Sequence, residues 1–95
     1  MTADVFRFLI SRDLPLDDAE VTLQLAVIAA ESLFGSSQIR LDFSYHLDRV
    51  QHSIVLDGTT ETGAAIVKIF TGFLQREFRP EDFQIQRIRE PRVAA

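Results

Sequence analysis

Few side chains in this chain could do chemistry, and they are scattered. His46 and His52 are its two histidines, and imidazole is the side chain whose ordinary pKa best suits proton transfer near neutral pH. His46 occupies a polar position in an alternating run, with no acidic partner fixed beside it by spacing. His52 occupies an apolar position in the next run and reads as a hydrogen-bonded packing residue. Neither stands where it would activate a hydroxyl, so no nucleophile-base pair and no catalytic residue is expected. Asp57-Gly58-Thr59-Thr60 leads into a helix whose first N–H groups lack intrahelical partners and carry partial positive charge. Gly58, Thr59 and Thr60 are therefore a candidate anion site, although every capped helix start shares these features. With no Cys there is no disulfide and no thiolate metal site, and with two His only a carboxylate-rich metal site would remain. No metal and no cofactor is expected. Basic charge is almost all Arg, with Lys68 the lone lysine. That pattern suits bidentate recognition of carboxylate or phosphate, but a compositional bias of the source genome is the preferred explanation.

The elements that would position these residues are ordered around Ile39 to Leu56. Ile39, Leu41, Phe43, Tyr45 and Leu47 alternate with Arg40, Asp42, Ser44 and His46, the period of a half-buried strand. Val50, His52, Ile54 and Leu56 continue the pattern against Gln51, Ser53 and Val55. With Asp48-Arg49 as the turn, a hairpin pairs Leu47 with Val50, Tyr45 with His52, Phe43 with Ile54 and Leu41 with Leu56 on one face. The other face then pairs Ser44 with Ser53, His46 with Gln51 and Arg40 with Asp57. Asp48-Arg49 lacks the Gly or Asn of a tight primed turn, which leaves a four-residue loop of the same register as the alternative.

Asp4 to Ser11 reads as a first strand with Phe6, Phe8 and Ile10 inward, broken by Arg12-Asp13-Leu14-Pro15. Asp17 and Glu20 have the spacing of a capping box, which starts a helix that runs to about Phe34, with Gly35 as a left-handed terminator. Its apolar arc, widened by Val21 and Ile28, predicts burial on more than one side. A second helix follows Gly58, capped by Thr59 or Thr60, and runs to about Arg79. Gly63 and Gly72 weaken it by roughly 1 kcal/mol each relative to Ala. Pro80 ends it, and Phe83 to Arg89 alternates as a last strand with Phe83 and Ile85 inward. Phe6, Phe8, Leu33, Leu41, Phe43, Ile54, Phe70, Phe73 and Leu74 form the expected core.

The resulting order, β-α-β-β-α-β, is the ferredoxin-like α+β arrangement: a four-stranded antiparallel sheet in spatial order 4-1-3-2 with two helices on one face. Residues 1–90 form one domain and 91–95 a flexible C-terminal tail. The acylphosphatases resemble this chain in size and topology and hold phosphate on a Gly-rich, Arg-containing loop after the first strand. The corresponding Ser11-Arg12-Asp13-Leu14-Pro15 has no glycine and an acidic neighbour, so that activity is not carried over. An RNA-binding version would show aromatics on the open face of the first and third strands. That face instead offers Arg7, Leu9, Gln51, Ser53 and Val55.

At 95 residues, 46% apolar and 25% charged, the chain can bury a core without staples. Asp4 and Arg7 interrupt the N-terminus, which excludes a signal peptide or anchor and makes a cytoplasmic location the expectation. A net charge of -4 opposes nucleic-acid binding. The expected function is a small non-catalytic protein-association module, homodimeric through the open sheet face. Val5, Leu9, Val55 and Ile88 would form its apolar centre and Arg7, Arg40, Asp42, His46, Gln51, Gln84 and Gln86 its polar surround. The flank of the first helix at Val21 and Ile28 is the competing surface. The alternative is a small-ligand-binding or regulatory domain. A dimeric ferredoxin-like enzyme, with His46 and Arg7 the residues to inspect, is the third reading.

Overall fold

The structure, a computed structural model, describes residues 2–91. Its elements are β1 (Thr2–Ile10), α1 (Leu16–Phe34), α2 (Ser36–Asp42), β2 (Tyr45–Asp48), β3 (Ser53–Asp57), α3 (Glu61–Glu77) and β4 (Phe83–Pro91), with one 3-10 turn at Pro80–Asp82. The sheet runs β2-β3-β1-β4, antiparallel throughout. This is the expected ferredoxin-like order read from the other edge. Alternation in β1 sends Phe8 and Ile10 inward, where Phe8 meets Phe70 of α3 with ring centroids 4.8 Å apart. Ile54 and Leu56 of β3 join them, under Leu23 and Ala26 of α1 and Ile66 and Leu74 of α3.

The expected long strand from Ile39 to Leu47 is not formed. Its first half is α2, and the reason lies in hydrogen-bond supply. A nine-residue strand needs a partner of similar length, but β3 is five residues long and its other edge is taken by β1. Unpaired backbone is costly, whereas a helix satisfies its own groups. Gly35, at φ 81°, lets the chain close α1 and turn into α2: its N–H donates to Glu31 O at 2.9 Å and its carbonyl accepts from Ile39 N at 3.3 Å. α2 buries Ile39 and leaves Leu41 82% exposed. Its C-terminal end docks on the next helix, where Thr60 Oγ1 donates to Asp42 O at 2.8 Å.

The hairpin that remains has a different register. Leu47 pairs with Ile54 and Tyr45 with Leu56, around a loop over residues 49–52. The slip from the expected pairing is four residues. Because four is even, Tyr45, Leu47, Ile54 and Leu56 keep the helix-covered face while every partner changes. The loop is held by contacts distant in sequence: Arg12 Nη2 donates to Val50 O at 2.8 Å, Ile10 N to His52 O at 3.0 Å, and Arg49 pairs with Asp17 at 3.1 Å. His52, at φ 55°, sits in this loop, and its Nε2 carries the proton it gives to Leu14 O at 2.7 Å.

Other boundaries shift for local reasons. α1 starts on Pro15 as N-cap without a side-chain cap, and the Asp17-Glu20 box is absent. Asp17 engages Arg49, and Glu20 accepts from Tyr45 OH at 3.2 Å. Thr60 is the N-cap of α3, its hydroxyl accepting from Gly63 N. Pro91, expected in the tail, is the last residue of β4 and pairs with Thr2; 92–95 lie outside the described residues.

Phe8, Ile54, Phe70 and Leu74 are fully buried as expected, and Phe6, Phe43 and Phe73 pack against the core half-exposed. Leu33 is 75% exposed. It follows the same stripe as Ala26 and Ala30 but lies in the last turn of the 19-residue helix, which reaches on the order of 28 Å and ends past the packed core. Val21, Leu25 and Ile28 are exposed too, so α1 is covered on one side only.

Candidate functional site

All three helices contribute to the core on one face of the sheet. The other face carries no helix among the described residues. Its occupants follow from register, since cross-strand partners point the same way. β1 supplies Val5, Arg7 and Leu9, β4 their partners Ile88, Gln86 and Gln84, and β3 their partners Asp57, Val55 and Ser53. β2 adds His46 opposite Val55 and Asp48 opposite Ser53. Val5 and Ile88 are therefore adjacent as expected, and Val55 lies opposite Arg7, one diagonal step from Val5 and Leu9.

Three residues assigned to this face are elsewhere. Arg40 and Asp42 belong to α2, where Asp42 accepts from Gln38 and Thr62. Gln51 is in the hairpin loop, its N–H donating to Asp48 Oδ1 at 3.1 Å. They were placed on the face by the longer strand and tighter turn that the chain does not form.

Although no helix covers it, the centre of the face is dry. Val55 is 9% exposed and Ser53 0%, because β3 is interior, with β1 on one side and β2 on the other. Among the described residues, the buried side-chain polar atoms lacking a hydrogen-bond partner are Arg7 Nε and Ser53 Oγ. Both belong to this face, on neighbouring strands. A buried polar group without a partner costs about 1 to 3 kcal/mol, and both atoms are closed off from the surface within the single chain. Ser53 was legible as an open-face residue, but its lack of a partner depends on the register. Around the centre, Arg7 supplies positive charge and Asp48 and Asp57 negative charge.

His46 is exposed and lines a cleft of about 330 Å³ with Val5, Val55 and Asp57, bordered by Ser44 and Tyr45. The Tyr45 phenol at its border is displaced from its ordinary pKa. Burial raises its phenol above the ordinary value of 10.0, the Glu20 carboxylate pushes the same way, and a hydrogen bond with Gln24 opposes them. Among the described residues, no Ser or Thr hydroxyl is hydrogen-bonded to His46.

The turn at Gly58, Thr59 and Thr60 has its groups engaged from within. Gly58 N donates to Asp4 O at 2.8 Å, Thr59 N to Asp57 Oδ1 at 2.9 Å, and Thr60 Oγ1 accepts from Gly63 N at 2.9 Å. The Asp57 carboxylate thus takes a donor that an anion would use. In the loop after β1, Arg12 is tied to Val50 O. Among the described residues no cluster of three or more His, Asp or Glu could hold a metal, and no helix is long and apolar enough to cross a membrane. Comparison with known proteins finds no matching family model, no matching curated protein and no matching solved structure, so the geometry of this sheet face is what bears on function.

Proposed function

We propose that this chain is a small non-catalytic association module that forms a homodimer through the open face of its sheet. The observation that carries this reading is a sheet face with no helix over it among the described residues, on which the half-exposed Val5, Leu9 and Ile88 lie around Arg7. A second copy laid there covers the half-exposed Val5, Leu9 and Ile88, and that apolar contact supplies the driving force. Arg at the middle of an apolar patch is the usual composition of an energetic centre at interfaces. A two-fold arrangement needs a self-complementary surface, and Arg7 beside Asp57 and Asp48 provides both signs of charge.

The dimer is tested by light scattering at roughly tens of micromolar, a range in which weak protein contacts become populated. Val55→Asp is an unsuitable probe, because Val55 is only 9% exposed and a charge there would destabilise the single chain. Leu9→Glu and Ile88→Glu are half-exposed alternatives. The expected result is a dimeric wild type and monomeric variants with unchanged circular dichroism. A monomeric wild type overturns the proposal. So does a dimer that survives both changes and is broken by Ile28→Glu, which would move the contact to the exposed flank of α1. The alternative reading, a small-ligand-binding or regulatory domain, is favoured by a separate feature on the opposite side of the sheet.

A further inference from the structure

β4 is an edge strand, and α3 does not fully cover its helix-facing side. Cross-strand pairing puts Ile85 opposite Phe8 and Arg87 opposite Phe6, on the helix side of the sheet, yet Ile85 is 38% exposed. Between α3 and this edge lies a cavity of about 480 Å³, within the range of small-ligand sites. Its wall is one stripe of α3, Ala64, Val67, Lys68, Thr71, Gly72 and Gln75, and its floor includes Phe6. A polar edge is set by Lys68 and Arg87. Arg87 is held in place by Asp4, with Nη2 to Oδ2 at 3.1 Å, and by the Phe6 ring, 5.5 Å from the guanidinium carbon.

Gly72 lies in the same wall. Glycine weakens a helix interior, and here no packing demands it. A Cβ at Gly58 would stand 2.7 Å from the Phe6 ring, and one at Gly63 would collide with Asp57 O, so those two glycines are required by their neighbours. A Cβ at Gly72 meets nothing within 4 Å. The open space beside it is the cavity, which a larger side chain at this position would enter.

We infer that this cavity binds a small amphipathic carboxylate, its apolar body against Phe6 and Val67 and its carboxylate paired with Lys68 and Arg87. Of the lining charges, Arg87 and Asp4 form an ion pair and Lys68 is left over, so the site carries one net positive charge in a chain whose net charge is -4 and is a local attraction for a carboxylate. The sole lysine, placed by sequence on the polar half of its helix, thereby acquires a role that its spacing alone did not disclose.

Decanoate and the uncharged decanol are the probes, titrated by calorimetry with amide shifts followed by NMR. Decanoate is expected to bind, to perturb Lys68, Thr71, Gly72 and Gln75, and to exceed decanol by about tenfold, the ratio given by roughly 1.4 kcal/mol from one charge interaction. Lys68→Gln should lose most of that ratio. Gly72→Leu should abolish binding with no fall in melting temperature, because it fills the cavity and removes a helix-weakening residue. The inference is overturned by absent decanoate binding at millimolar concentration, by equal affinity for decanol, or by undiminished binding to a folded Gly72→Leu. Since the open sheet face is on the other side, none of these outcomes bears on the dimer.

Discussion

Tyr45 shows how a side chain's partner, invisible in its own strand, sets its chemistry. Alternation puts it on the inner face of β2, but the acceptor of its hydroxyl is Glu20, a full element away in α1. Burial and that carboxylate both favour the neutral phenol. The unfolded chain therefore releases the phenolic proton at a lower pH than the folded one. Stability is fully present below the ordinary value of 10.0 and falls as pH rises above it, since the unfolded state then binds fewer protons. As the chain has one Tyr and no Trp, an ultraviolet titration reads this group alone. The wild type should titrate above free tyrosine and Glu20→Gln closer to it; an unshifted wild-type curve would remove Glu20 from the account. His52 teaches the same lesson in reverse. Its packing role was legible from its apolar position, but its partner, Leu14 O, was not, because the left-handed turn that aims the ring depends on loop contacts across the chain.

At the scale of elements, α2 is where local pattern and tertiary demand part. Ile39, Leu41 and Phe43 alternate as a strand would, and in that strand Leu41 would be buried opposite Leu56. In the helix only Ile39 turns inward, at 6% exposure. Truncation distinguishes the two. Ile39→Ala should cost about 2 to 3 kcal/mol and Leu41→Ala less than about 0.5 kcal/mol in urea melts, whereas a strand would make Leu41 the costly one. Phe70→Ala, removing the ring packed on Phe8, should cost about 3 to 5 kcal/mol. Phe43 is only half-buried and stacks on Tyr45 with centroids 6.0 Å apart, so its truncation should cost less.

At the scale of the molecule, charge and surface act together. With a net charge of -4 and a strand face offering Arg7, Leu9, Val55 and Gln86 in place of stacking aromatics, a labelled single-stranded RNA should show no saturable binding at physiological salt. Micromolar affinity in a fluorescence titration would contradict that expectation. The order of strands and the face of every strand residue from Val5 to Leu9, Tyr45 to Leu47 and Ser53 to Leu56 were determined by sequence alone. Period-two alternation depends only on neighbours in the chain, and an even slip of register leaves it intact. Pairing partners, the helix over residues 36–42, the overhang at Leu33 and the two unpartnered polar atoms were decided by tertiary structure. Each depends on how much partner strand or covering helix is available at that point, and that quantity is set by elements remote in sequence.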